Sequence, residues 1–173
     1  DQRSALPVLI YVLCLLFTYF ASTVYHAVST PDYKKTLRIL DHVSIFLLIG
    51  GTFTPIVYFN MGTWNGWPFL VTFWSLMIGG VIFKIFFTGR FKLVSTLIYI
   101  GVAWFGAMMA APIYRNIPKP VLIYLLAGGL FYTSGTIFYM QKRMKYNHAV
   151  WHVFVFAASL LHFCAVLLQV RSI

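Results

Sequence analysis

Charge is scarce in this chain. Of 173 residues 9% are charged and three are acidic, while 61% are hydrophobic. A soluble domain carries roughly a quarter of its residues charged, so this chain has too few to cover itself in water. Cysteine is scarcer still. Cys14 and Cys164 both fall inside apolar runs, which excludes a disulfide framework and a cysteine zinc motif. There is no low-complexity segment, no strong internal repeat and no small-residue cleavage site after the first apolar run, so that run reads as a span rather than a signal peptide. The net charge of +10 is not a nucleic-acid signature, because no basic stripe interleaved with polar residues exists to follow a phosphate backbone.

What the chain does have is apolar runs of the length that crosses a hydrocarbon core, about 20 residues for about 30 Å. Six can be drawn: Ala5–Ala27, Asp41–Phe59, Pro68–Phe87, Leu93–Ile113, Val121–Met140 and His148–Val170. Their connections are short, which predicts an all-α polytopic transmembrane helix bundle forming a single domain over residues 1–173. Gly50, Gly51, Gly79, Gly80, Gly128 and Gly129 allow close helix packing, and Pro55 is expected to bend the second span.

The 13 Lys and Arg residues set an orientation. Lys34, Lys35 and Arg38 in the first connection, Lys84, Arg90 and Lys92 at the third, and Lys142, Arg143 and Lys145 in the fifth give nine on one side. The second connection has none and the fourth has two, Arg115 and Lys119, with Arg3 and Arg171 at the ends on that same poorer side. The odd connections are therefore expected to be cytoplasmic and the C-terminus outside. Trp64 and Trp67 suit an outer aromatic belt. A chain that begins outside on Asp1 and enters a span at once is expected to lack its natural start.

Ionisable groups inside spans are expensive and mark functional positions. Here His26 closes the first span, Asp41 and His42 open the second, and His148 and His152 open the sixth, all on the expected cytoplasmic side. His148 and His152 are four apart, one helical turn, the spacing by which a helix offers two imidazoles to one metal ion. A third ligand from a facing helix completes a three-ligand site with an open position, and His26 is the candidate. Ser22 lies one turn from His26. Blander roles compete at each position. Histidines at an interface often bond only to headgroups, Asp41 suits an N-cap and Ser22 a packing hydroxyl. His42 points about 100° from Asp41 and reads as interfacial. His162, about 15 Å from His152 along the helix, reads as a satisfied polar contact in the bundle.

Three stretches, Ser22-Thr-Val-Tyr-His26, Leu40-Asp41-His42-Val-Ser-Ile-Phe46 with Gly51-Thr52-Phe-Thr-Pro55, and His148-Ala-Val-Trp-His152, resemble the hemolysin III family. That family belongs with the progestin and adiponectin receptors in a superfamily of seven-span proteins, and the short loops look like its bacterial branch. The resemblance covers essentially the whole chain and implies that one span, the first, is absent here. It further implies that His26, His148 and His152 bind Zn2+, that Asp41 holds the metal's water or acts as a fourth ligand, and that Ser22 supports the site. Together these readings point to a zinc-dependent hydrolase of a lipid amide or ester in a bacterial inner membrane, with membrane lipids as partners and the site toward the cytoplasmic leaflet. A non-enzymatic lipid sensor with a structural zinc is the alternative. A pore-forming cytolysin, as the family name implies, is a further one, though no span carries the polar stripe that lines an aqueous channel.

Overall fold

The computed structural model describes residues 2–141 and 143–172, with side chains except at residues 2–4, 62–65 and 92. Lys142 and the side chains of Arg3, Trp64 and Lys92 thus lie outside what is described, and with them Trp64's place in an aromatic belt. The described residues form helices α1 (Gln2–Ala27), α2 (Pro31–Phe87), α3 (Lys92–Met109), α4 (Lys119–Met140) and α5 (Asn147–Arg171), with a single 3-10 turn at Ala111–Ile113. The protein is an all-α polytopic membrane protein. Five helical stretches are long and apolar enough to cross a membrane: Ala5–Ala27, Pro31–Met61, Gly66–Phe87, Lys119–Met140 and Asn147–Arg171. A sixth apolar helix, Leu93–Met109, is shorter.

The chain divides into two compact units, residues 1–102 and residues 103–173. In the first, α2 supplies two arms. A straight helix of 57 residues would be about 85 Å long. Instead, its halves pack against each other. Phe46 meets Gly80, Gly50 meets Met77 and Trp74, the Trp74 indole donates to Thr54 Oγ1 at 3.0 Å, and Phe53 lies 4.6 Å from Phe73. The members of each pair sit at similar distances along the chain either side of Met61–Gly66, so the chain reverses there and the arms run antiparallel. Pro55 lies inside the first arm without ending the helix. α1 packs along that arm, where Gly51 lets Cys14 approach to within 2.8 Å of the space a Cβ would fill, and Thr18 Oγ1 donates to Ser44 O at 3.1 Å. Tyr11, Phe46, Val57, Phe73 and Met77 form the fully buried core of the unit.

Two boundaries differ from the expected ones. The second span was expected to open at Asp41, but α2 begins ten residues earlier, at Pro31. Proline is pre-organised for the first helical position and Asp32 complements the helix dipole, so polar residues are helical here without being apolar. Lys34, Lys35 and Arg38 therefore stand on a helix, not in a loop. The fourth span was expected to reach Ile113, but α3 stops at Met109. Pro112 lacks the amide that would continue the ladder and disfavours α geometry at Ala111. The Tyr114 hydroxyl donates back to Ala107 O to close that end.

In the second unit, α4 and α5 form an antiparallel pair. Tyr139 packs on His148 and Trp151, Phe138 stacks on Phe154 at 5.0 Å, the Tyr132 and Ser159 hydroxyls are 2.6 Å apart, and His162 meets Leu125. The last part of α3 joins this unit through Trp104, whose indole donates to Thr133 Oγ1 at 3.0 Å.

Candidate metal centre

The start of α5 is built by its own first residues. Asn147 Oδ1 accepts from the His148 backbone amide at 2.8 Å, while Asn147 Nδ2 donates to Tyr139 O at 3.3 Å and ties the helix start to the end of α4. On the following turn His148 and His152 face one another. Their rings lie 4.6 Å apart at 89°, and their Nε2 atoms are 3.1 Å apart. Two nitrogens bound to one tetrahedral zinc at 2.0–2.1 Å would be about 3.3 Å apart, so the pair is set for a shared ion with little adjustment. The same separation suits a hydrogen bond only if one Nε2 is protonated and the other bare. Both readings require the two rings to converge, and they do.

In the first unit, His26 stands in the last turn of α1 with its ring edge-on to Tyr25 at 4.8 Å. The carbonyls that this helix end leaves unpaired are met by Lys34 of α2. Its Nζ donates to Tyr25 O and to Val28 O, and lies 4.4 Å from the Tyr25 ring centroid. A cation at a helix C-terminus is favourable on dipole grounds as well. The lysine thus fixes the turn that carries His26. Ser22 precedes His26 by one turn of the same helix.

Asp41 is not an N-cap. With α2 starting at Pro31, it lies two to three turns inside the helix, where capping is impossible. Its carboxylate is 16% exposed, accepts no hydrogen bond among the described residues, and holds Oδ2 3.6 Å from His42 Nδ1. His42 turns that nitrogen to Arg38 O at 2.7 Å. A carbonyl can only accept, so Nδ1 carries the proton and is spent within its own helix. His162 behaves as expected of a bundle contact. Its Nε2 meets Leu125 O at 3.1 Å in the middle of the α4–α5 pair.

Lys34 and Asn147 were not singled out from the sequence, although each had a signal. Asn147 directly precedes the histidine pair, a position from which asparagine commonly serves helix starts. Lys34 follows Pro31 by one turn, but reading the second span from Asp41 hid that turn in a loop.

The sequence signature described as Haemolysin-III related matches residues 1–163. Hemolysin-3 of Bacillus cereus is 40% identical over 161 residues, covering 93% of this chain and 74% of the relative. The Hemolysin-3 homolog of Bacillus subtilis (strain 168) is 38% identical over 158 residues, covering 91% of this chain and 74% of the relative. More distantly, the human Monocyte to macrophage differentiation factor is 26% identical over 166 residues, 89% of this chain and 65% of its own length.

Proposed function

This chain belongs to the haemolysin-III related family, within the superfamily of the progestin and adiponectin receptors, and on that premise we propose that it is a zinc-dependent hydrolase of a membrane-lipid amide or ester. The observation that carries the reading is the His148–His152 pair, with Nε2 atoms 3.1 Å apart on one face of α5. The resemblance of the Ser22–His26 stretch to the family supplies His26 as the third imidazole of the proposed donor set. Nitrogen ligands in that number with an open position are the pattern of catalytic zinc.

A zinc ion held there supplies Lewis acidity and makes water reactive near neutral pH when bound. The protein's own part is positional. His26, held by the Lys34-capped turn, and the Asn147-anchored pair fix the donors. The Asp41 carboxylate, which accepts no hydrogen bond among the described residues, takes the proton from the attacking water and aims the oxygen at the lipid carbonyl. Ser22, one turn from His26, fixes the ring that His26 presents. The excess of lysine and arginine on the odd connections supports a site toward the cytoplasmic leaflet of a bacterial inner membrane, with the C-terminus outside.

The availability of the Asp41 carboxylate also favours a second reading, in which it fills the fourth ligand position and the ion is structural in a lipid-sensing protein. One assay separates the two. Purified chain is given a fluorescent ceramide, and fatty-acid release is followed with and without a chelator. The hydrolase reading expects chelator-sensitive release that falls at least ~100-fold in Asp41→Asn while bound metal is retained. Full metal occupancy with no release from lipid amides or esters supports the structural ion. Release that survives both the chelator and Asp41→Asn contradicts the hydrolase mechanism.

A further inference from the structure

A second polar cluster lies in the first unit, where α2 turns into α3. Lys84, in the last turn of α2, is 2% exposed, and its ammonium lies 5.5 Å from the centroid of the Tyr99 ring. Tyr99 is fixed in turn: its hydroxyl donates to His42 O at 2.9 Å and its ring lies 4.7 Å from Phe46. Arg38, one turn before His42, reaches across to the turn between the helices. There Gly89 has φ +85°, and any Cβ on it would stand 2.2 Å from Arg38 Nη2. The positive φ favours glycine at this position. Ser95 lies one turn before Tyr99 on the same face of α3 and is 4% exposed.

These groups share one deficit. Arg38 Nε and Ser95 Oγ are buried and have no hydrogen-bond partner among the described residues. Arg38 and Lys84 repel each other, and neither forms an ion pair with a described acid. The acids described are Asp32, in the first turn of α2, and Asp41, which lies beside His42. Arg90 in the adjoining turn adds positive charge. A buried cation without a counter-charge is strongly unfavourable, and each unmet donor adds a further penalty. Each unmet group here can donate or carries positive charge. One ligand class answers all of them: an oxyanion with several acceptor oxygens, for which a guanidinium fork and a lysine point charge are the usual partners.

We propose that Arg38, Lys84 and Ser95 form a phosphate-binding site, distinct from the histidine centre, that takes the phosphate of an anionic phospholipid or free phosphate. Lys84 closes the apolar arm Gly66–Phe87, and the ends of spans are the level at which headgroup phosphates lie. Arg38 grips the anion through its guanidinium, Lys84 neutralises it over the Tyr99 face, and the Ser95 hydroxyl donates to it.

The test uses the full chain, delipidated in detergent and treated with chelator so that the histidine centre plays no part. Native mass spectrometry and thermal unfolding follow the addition of dioleoylphosphatidylglycerol, dioleoylphosphatidylcholine or inorganic phosphate. The expected result is one phosphatidylglycerol per chain with a raised melting midpoint, and binding at least tenfold weaker in Arg38→Gln and Lys84→Met. Lys84→Met removes a buried charge, so its ligand-free midpoint is expected to equal or exceed the parent's, and lost binding cannot then reflect unfolding. Binding of phosphatidylglycerol without inorganic phosphate assigns a lipid headgroup; binding of both assigns a general phosphate site. Equal uptake of phosphatidylcholine, binding of none of the three, or phosphatidylglycerol affinity unchanged in Lys84→Met would overturn the proposal.

Discussion

His152 and His162 stand on one helix, about 15 Å apart along its axis, and their surroundings give them opposite chemistry. At the start of α5, His152 turns its Nε2 to another imidazole nitrogen, 3.1 Å away on His148. Both atoms can be bare, which is what a cation needs. In the middle of α5, His162 turns its Nε2 to Leu125 O, an atom that can only accept. That nitrogen must keep its proton, so it cannot ligate. The packing reinforces the difference. The His162 ring fills the space over Gly128, where a Cβ would meet Nε2 at 2.4 Å and Cδ2 at 2.3 Å. Residue type and helix are the same, and the atom opposite Nε2 decides the role.

The comparison is most sharply strained at Gly128. Gly128→Val would drive a side chain into the His162 ring and toward Ala158 O, itself 3.1 Å from the first added carbon. Overpacking of this kind costs about 1–3 kcal/mol, so the thermal midpoint should fall by several degrees in detergent, with metal content unchanged. Loss of metal from this variant would show that the two ends of α5 are coupled rather than separate.

Removing the ring instead probes the bond. In His162→Leu the Leu125 carbonyl loses its added partner, and the expected loss is about 1 kcal/mol in chemical unfolding. Bound metal should again match the parent; a deficit would make His162 part of the ion site and break the contrast.

The smallest expected change is in the opposite direction. Gly129 adjoins Gly128, but a Cβ there would meet nothing nearer than the Trp104 ring at 3.8 Å. Gly129→Ala should therefore fit and stabilise α4 by about 0.5–1 kcal/mol through lower backbone entropy in the unfolded chain. A lowered midpoint would mean that close packing at this face extends beyond the His162 ring.

Much of this was legible in the sequence, because apolar length and histidine spacing are both set by helix geometry. The runs at Ala5–Ala27, Val121–Met140 and His148–Val170 match helices to within a few residues at either end. The four-residue interval places His148 and His152 together in any helix, and the distance of His162 from that pair along the helix already marked it as a polar contact within the bundle. What could not be read was tertiary. The polar turn Pro31–Leu40 is helical because Pro31 starts it and Lys34 bonds to the end of α1, neither of which hydropathy registers. Lys84 counted as an orientation charge at the edge of a loop, yet it is almost wholly buried over Tyr99, a residue of the next helix. Asp41 suited a cap as long as the helix was taken to begin there. Its position well inside α2 removes that role and leaves its carboxylate for other work.

The central claim is that the converging imidazoles of α5 hold a metal ion. Metal content of the detergent-purified chain, measured by mass spectrometry beside His148→Ala/His152→Ala, tests it directly. The account expects about one zinc per chain in the parent and none in a variant that keeps its helical content, since a site of this kind needs both nitrogens of the pair. A well-folded parent without metal, or a double variant that retains it, would contradict the claim and return His148 and His152 to a hydrogen-bonded pair at the start of α5.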